Sequence, residues 1–179
     1  MGALDGFAVL SRRRLLKVGL GAGGLVAASG LGLWGLRGAA PAVEGLRVLT
    51  AHEYRTLAKL AEAVLPDGEV FAEGASMVDL ARAFDGFLAD EPQWNIDDLK
   101  RALFLLELGP VVFERRLATF SNLSADERRA HFERWASASS DTRRQVAVAF
   151  RRFLFLVFYD QPAVWPRLGY DGPLIRGTP

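Results

Sequence analysis

The stretch Thr50–Val64, TAHEYRTLAKLAEAV, opens with a threonine followed three residues later by Glu53, the reciprocal pair of a capping box. Behind it Tyr54, Leu57, Ala61 and Val64 share one face at helical spacing, and Pro66-Asp67-Gly68 ends the run. This stretch predicts an amphipathic helix, and the same signals recur down the chain. Ser76 with Asp79 introduces Val78, Ala81, Phe84 and Leu88 as a second helix. Pro92 breaks the chain, and Asn95 is the candidate cap of a third helix carrying Leu99, Ala102, Leu103 and Leu106. Gly109-Pro110 should stop or bend that helix before it resumes through Val111 to Ala118. Ser124 with Glu127 forms another capping box, opening a polar helix with a narrow apolar edge at Phe132 and Trp135. Ser140 or Asp141 caps the last long helix. Almost no period-two alternation intervenes, so the expected fold is all-α, a small bundle of about five to six helices.

The last helix is the most hydrophobic piece of the body: of the 14 residues from Val146 to Tyr159, only Arg151 and Arg152 are not apolar. It is too short and too charged to span a bilayer. A helix apolar nearly all round belongs at the centre of a bundle or between the bundle and a partner. The centre is the expected place, with Phe104, Leu105 and Leu108 on a second face of helix three to surround it. Arg151 and Arg152, embedded in apolar residues, are candidates for partner docking because arginine is enriched at interface hot spots. The tail, 160–179, mixes aromatics with turn formers rather than helix formers. Trp165 and Tyr170 there either cover the open end of the bundle or dock on another subunit, and Tyr159, just before the tail, is a further docking candidate.

Composition removes whole classes of chemistry. The chain of 179 residues has no cysteine, so disulfides, thiolate zinc sites, cysteine-ligated iron–sulfur clusters and covalent haem attachment are excluded together. Only His52 and His131 supply imidazole, too few for a three-histidine metal site. His52-Glu53 lacks the second histidine of a zinc-protease motif, and His131, among Arg128, Arg129 and Arg134, is expected on a solvated face. Asp97 and Asp98 are adjacent and point to different helix faces, so they are no acid/base couple. The arginine pairs 115-116, 128-129, 143-144 and 151-152 are balanced by acids and read as solvated faces. No catalytic, cofactor-binding or metal-binding residue is expected in this chain.

Residues 1–42 have the layout of an export signal: a basic start, an uncharged stretch from Val18 to Leu36, and a small-residue segment ending Ala40-Pro41-Ala42. The basic start, Ser11-Arg12-Arg13-Arg14-Leu15-Leu16-Lys17, looks like the twin-arginine translocation motif, with Leu15 where that motif has Phe. Seven glycines in the 19 residues 18–36 dilute the apolar drive, as such signals require. Gly19 to Gly24 satisfies G-x-G-x-x-G but follows a cationic run rather than a strand, which rejects a dinucleotide site. The segment is either cleaved after Ala42 or retained as a membrane anchor, and both place the body in the periplasm. Five basic residues against one acid in 1–42 leave 17 basic and 20 acidic residues in 43–179. That body, a single helical domain with its tail, is mildly acidic, which argues against nucleic acid as a partner.

Four short motifs carry a family likeness: Leu49-Thr50, the helix end Ala61-Glu62-Ala63-Val64-Leu65-Pro66, the step Phe158-Tyr159-Asp160-Gln161-Pro162, and the close Gly169-Tyr170-Asp171-Gly172-Pro173. Together they resemble the gluconate 2-dehydrogenase subunit 3 family, with Asp171 standing where Pro is expected. The resemblance implies a small accessory subunit of a flavoprotein dehydrogenase of the glucose–methanol–choline type. It further implies FAD in the large subunit, a multihaem c-type cytochrome as electron acceptor, the Tat translocase as carrier, and no catalytic residue here. Such a subunit would act as an assembly and export chaperone and stay with the membrane-associated complex. The alternative, from the residues alone, is a free-standing periplasmic helical binding module exported by the same route.

Overall fold

The computed structural model describes residues 35–68 and 74–172. Five α-helices form the body: α1 (Ala51–Val64), α2 (Leu80–Leu88), α3 (Gln93–Glu114), α4 (Ala125–Ala136) and α5 (Asp141–Tyr159). Short 3-10 turns stand at Gly74–Met77, Phe120–Asn122 and Trp165–Leu168, and no strand occurs among the described residues. The fold is an all-α bundle. The twin-arginine motif and the end of the tail, 173–179, lie outside the described residues.

Both capping boxes form. Thr50 Oγ1 accepts the Glu53 N–H at 3.3 Å while Glu53 Oε2 accepts the Thr50 N–H at 2.7 Å. Ser124 and Glu127 repeat the exchange at 3.4 and 3.0 Å. Ser140 stands at the N-cap of α5, as expected, whereas the starts of α2 and α3 differ from expectation. Asp79 is itself the cap of α2, accepting the Arg82 N–H at 3.0 Å, because Gly74–Met77 takes up the preceding residues in a 3-10 turn. Pro92 caps α3 without a side-chain bond, and Asn95 is buried inside the first turn, where it donates to Glu91 at 2.8 Å. Gly109-Pro110 does not stop α3, which runs on to Glu114 with Leu108, Gly109 and Pro110 all buried. Tertiary burial overrides the breaker, and the helix ends at Arg115 in the left-handed region, φ 55°.

The central helix is α1, not α5. α1 packs against α2, α3, α4, α5 and the Phe120–Asn122 turn, with Leu57 and Leu60 wholly buried. Around it stand Phe84 and Leu88 of α2, Leu99 and Leu106 of α3, and Phe132 and Trp135 of α4. Each such side chain contributes ~1.5–3 kcal/mol by leaving water. α5 packs chiefly on α4 and α2, with Phe153 meeting Phe84 edge-on at 6.4 Å between ring centroids. Its other face is open, because α3 lies chiefly against α1 and the Phe120–Asn122 turn instead of closing over α5. Phe104, expected to help surround the last helix, is exposed, and the Arg37 guanidinium sits 5.1 Å above its ring.

Candidate functional site

Three buried charged groups build the frame that presents the open face. Asp85 of α2 accepts the backbone N–H groups of Arg47 (2.7 Å), Val48 (3.0 Å) and Leu49 (2.7 Å), pinning the chain entering α1. Glu107 of α3 accepts from Thr56 Oγ1 (3.1 Å), Ser121 N (3.0 Å) and Ser121 Oγ (2.8 Å), tying α3 to α1 and the 3-10 turn. Arg128 is buried, against the expectation of a solvated arginine pair. It donates to Leu123 O (2.6 Å) and Glu62 Oε2 (2.7 Å), holding α4 on α1.

His131 is also buried, and the solvated reading is corrected there too: its exposure is 0%. The polar neighbours Arg129 and Glu133 point outward, but position 131 faces α3. There His131 Nδ1 lies 2.6 Å from Glu114 Oε1, whose carboxylate also accepts from Arg134 at 2.7 and 3.1 Å. An ionised carboxylate only accepts, so Nδ1 carries the proton and Nε2 is the bare nitrogen. Nε2 has no hydrogen-bond partner among the described residues and lies against Gly109. Burial pushes the imidazole pKa below its usual value, outweighing the opposing pull of Glu114. Burial raises the Glu114 carboxyl, but the hydrogen bonds from Arg134 and His131 prevail and hold it below the ordinary range. The imidazole is walled in by Phe120 and Trp135, whose ring centroids lie 5.7 and 5.5 Å from its own, while Arg134 on the outer side of Glu114 stays half exposed.

The proposed docking residues separate into two groups. Arg151 is committed within the chain, donating to Glu133 Oε1 at 2.6 Å and lying 5.2 Å over the Phe132 ring. Arg152 is exposed, and no carboxylate pairs with it among the described residues. It stands between Val148 and Leu156 on successive turns of α5, with Tyr159 at the end of the same face. Val148 is 42% and Leu156 49% exposed. In the tail, Val164 is fully buried and Trp165 donates Nε1–H to the Tyr159 carbonyl at 3.0 Å, so this part closes the end of α5. Tyr170 rests edge-on against Trp165 at 5.5 Å and remains 46% exposed, beside an exposed Leu168. Tyr159, Trp165 and Tyr170 are thus brought together, and α5 continues their apolar surface through Leu156 to Val148.

Sequence reasoning missed Asp85, Glu107, Arg55 and Asn122, each of which holds backbone or side-chain groups remote in sequence. None sits in a motif, so only the tertiary contact marks them out. Among the described residues no group of three or more His, Asp or Glu could hold a metal ion, and no helix is long and apolar enough to cross a membrane. No family model, curated protein or solved structure matches the chain.

Proposed function

We propose that this chain is a non-catalytic accessory subunit that binds a flavoprotein dehydrogenase of the glucose–methanol–choline type, assists its assembly and carries it out of the cytoplasm by the twin-arginine route. The observation that carries the proposal is the open face of α5: an apolar stripe around Arg152, which pairs with no carboxylate among the described residues, continued by Tyr159 and Tyr170. A stripe of this kind is costly to leave in water and is the composition of an interface centre, aromatic and arginine-rich. The family likeness of the four motifs and the signal-like residues 11–17 supply the partner class and the route. Two of those motifs, Phe158 to Pro162 and, in its described part, Gly169 to Gly172, flank or fall within the same aromatic surface. FAD belongs to the partner, and a multihaem c-type cytochrome is the electron acceptor this assembly would meet in the periplasm.

The test is to co-express the tagged chain with a flavoprotein encoded beside it. The expected result is flavin absorbance in the affinity eluate and dehydrogenase activity in the periplasm. Changing Arg12 and Arg13 together to Lys keeps the charge but removes the planar guanidinium fork, so a receptor that reads arginines should reject it. Both proteins should then remain in the cytoplasm. Normal periplasmic activity in that variant would remove the carrier role, and an eluate without flavin would leave the binding-module reading.

A further inference from the structure

The end of the signal-like segment is bound by the body. Arg55 of α1 donates from Nη1 to the carbonyls of Arg37 and Ala39, each at 3.2 Å, and from Nη2 to Asn122 Oδ1 at 2.5 Å. Asn122, fixed by this bond and by one to Thr119 Oγ1, donates Nδ2–H to the carbonyls of Leu36 (2.7 Å) and Arg37 (3.3 Å). Three carbonyls in four residues are therefore held by two side chains from separate elements. The Arg37 guanidinium adds its contact over Phe104, and Gly38 takes the positive φ of 67° that turns the segment beneath Arg55. Further on, Arg82 Nη1 donates to the Glu44 carbonyl at 2.8 Å, and Asp85 takes the N–H groups of residues 47 to 49.

Between these two attachments only residues 40–43 are free, and they contain Ala40-Pro41-Ala42 and the Ala42–Val43 peptide bond. Four residues span at most ~14 Å even when fully extended. A peptidase needs an extended strand on both sides of the bond it cuts, so a native segment tied at both ends must first open locally. We infer that Arg55 and Asn122 form a binding site for the main chain of residues 36–39, with Phe104 taking the Arg37 side chain, and that this clasp protects the Ala42–Val43 bond so that the N-terminal segment is kept after export. The inference rests on the export reading of residues 1–42 and adds to it the fate of the signal.

Purified full-length chain in detergent is incubated with signal peptidase and read by intact mass, in parallel with the mass of the chain recovered from the periplasmic and membrane fractions of cells. The expected result is an intact parent chain in both settings. Arg55→Ala with Asn122→Ala should be hydrolysed, giving a new carboxylate on Ala42 and a new amine on Val43. A second variant, a Gly-Ser spacer of about eight residues between Ala39 and Ala40, adds roughly 27 Å of reach without touching the clasp residues and should be cut as well. It keeps the question open to an answer if the double variant fails to fold. A parent chain cut after Ala42 overturns the inference, as does resistance in both variants, which would make the bond a poor substrate regardless of the clasp. An intact chain confined to the cytoplasm would count against export, while the incubation with peptidase would still decide on the clasp.

Discussion

Gly109 of α3 lies directly against the imidazole of His131 in α4: a Cβ added to it would stand 2.8 Å from Nε2 and 2.7 Å from Trp135 Cζ2. Both rings are completely buried, and His131 is tied to Glu114, so neither is a flexible end that can swing aside. In an exposed helix, replacing Gly by Ala would stabilise by ~1 kcal/mol. Here the overpacking of the α3–α4 contact reverses the sign. Gly109→Ala should destabilise by about 1–3 kcal/mol in urea denaturation. A variant as stable as the parent would show that the helices do not approach this closely.

The same imidazole makes stability depend on pH. Burial lowers its pKa in the folded chain, so the unfolded chain binds the proton more tightly. The stabilising contribution is complete above the unfolded value of ~6.5 and is lost as pH falls from there toward the folded value. Glu114, also held below its usual range, adds a second loss at lower pH, beginning near the ordinary carboxylate value of ~4.3. Thermal melts between neutral and mildly acidic pH should show Tm falling in the parent. His131→Asn, which retains a donor toward Glu114 but cannot titrate, should start lower and lose less over the upper part of that range. Parallel pH profiles for the two proteins would sink this assignment.

Asp85 and the residues it holds give a third expectation. Asp85→Asn keeps the shape but turns one oxygen into a donor, facing an N–H that it had accepted. The loss of a charge-assisted bond plus an opposed donor pair should cost about 2 kcal/mol. The loss should be local as well as global, with faster amide exchange at Arg47, Val48 and Leu49. Unchanged exchange at those three amides would mean that the carboxylate does not anchor the entry to α1.

How much of this was legible in the sequence depends on the range of the interaction. Thr50 with Glu53 and Ser124 with Glu127 act across three residues, and the chain folds there as their spacing predicts. The position of a helix within the bundle is set by partners far away in sequence. α5 therefore looked central from its composition, although its stripe from Val148 to Tyr159 is open. His131 looked solvated beside its arginines because the helix period at that residue is decided by what α3 presents, namely the missing side chain of Gly109. Pro110 similarly looked like a stop, but a buried helix can carry a proline when packing compensates for the lost bond. Of the docking set, Arg151 could not be told from Arg152 without seeing that Glu133 lies beside one of them and not the other.

The tail and α5 can be separated by three single substitutions. Leu156→Asp alters a half-exposed side chain, so stability should stay within ~0.5 kcal/mol of the parent. Binding to the flavoprotein should weaken by about 2 kcal/mol, roughly 30-fold in Kd, because a carboxylate would be buried in an apolar contact. Tyr170→Ala should behave the same way, since its ring rests on Trp165 and faces outward. Trp165→Ala should differ in kind. Its Nε1–H holds the Tyr159 carbonyl, and its ring supports Tyr170, so its loss should lower Tm and weaken binding together. Binding measured by titration calorimetry beside thermal melts distinguishes these patterns. Unchanged affinity for Leu156→Asp and Tyr170→Ala would move the docking surface away from α5, and a Tm drop with Tyr170→Ala alone would make the whole tail part of the bundle.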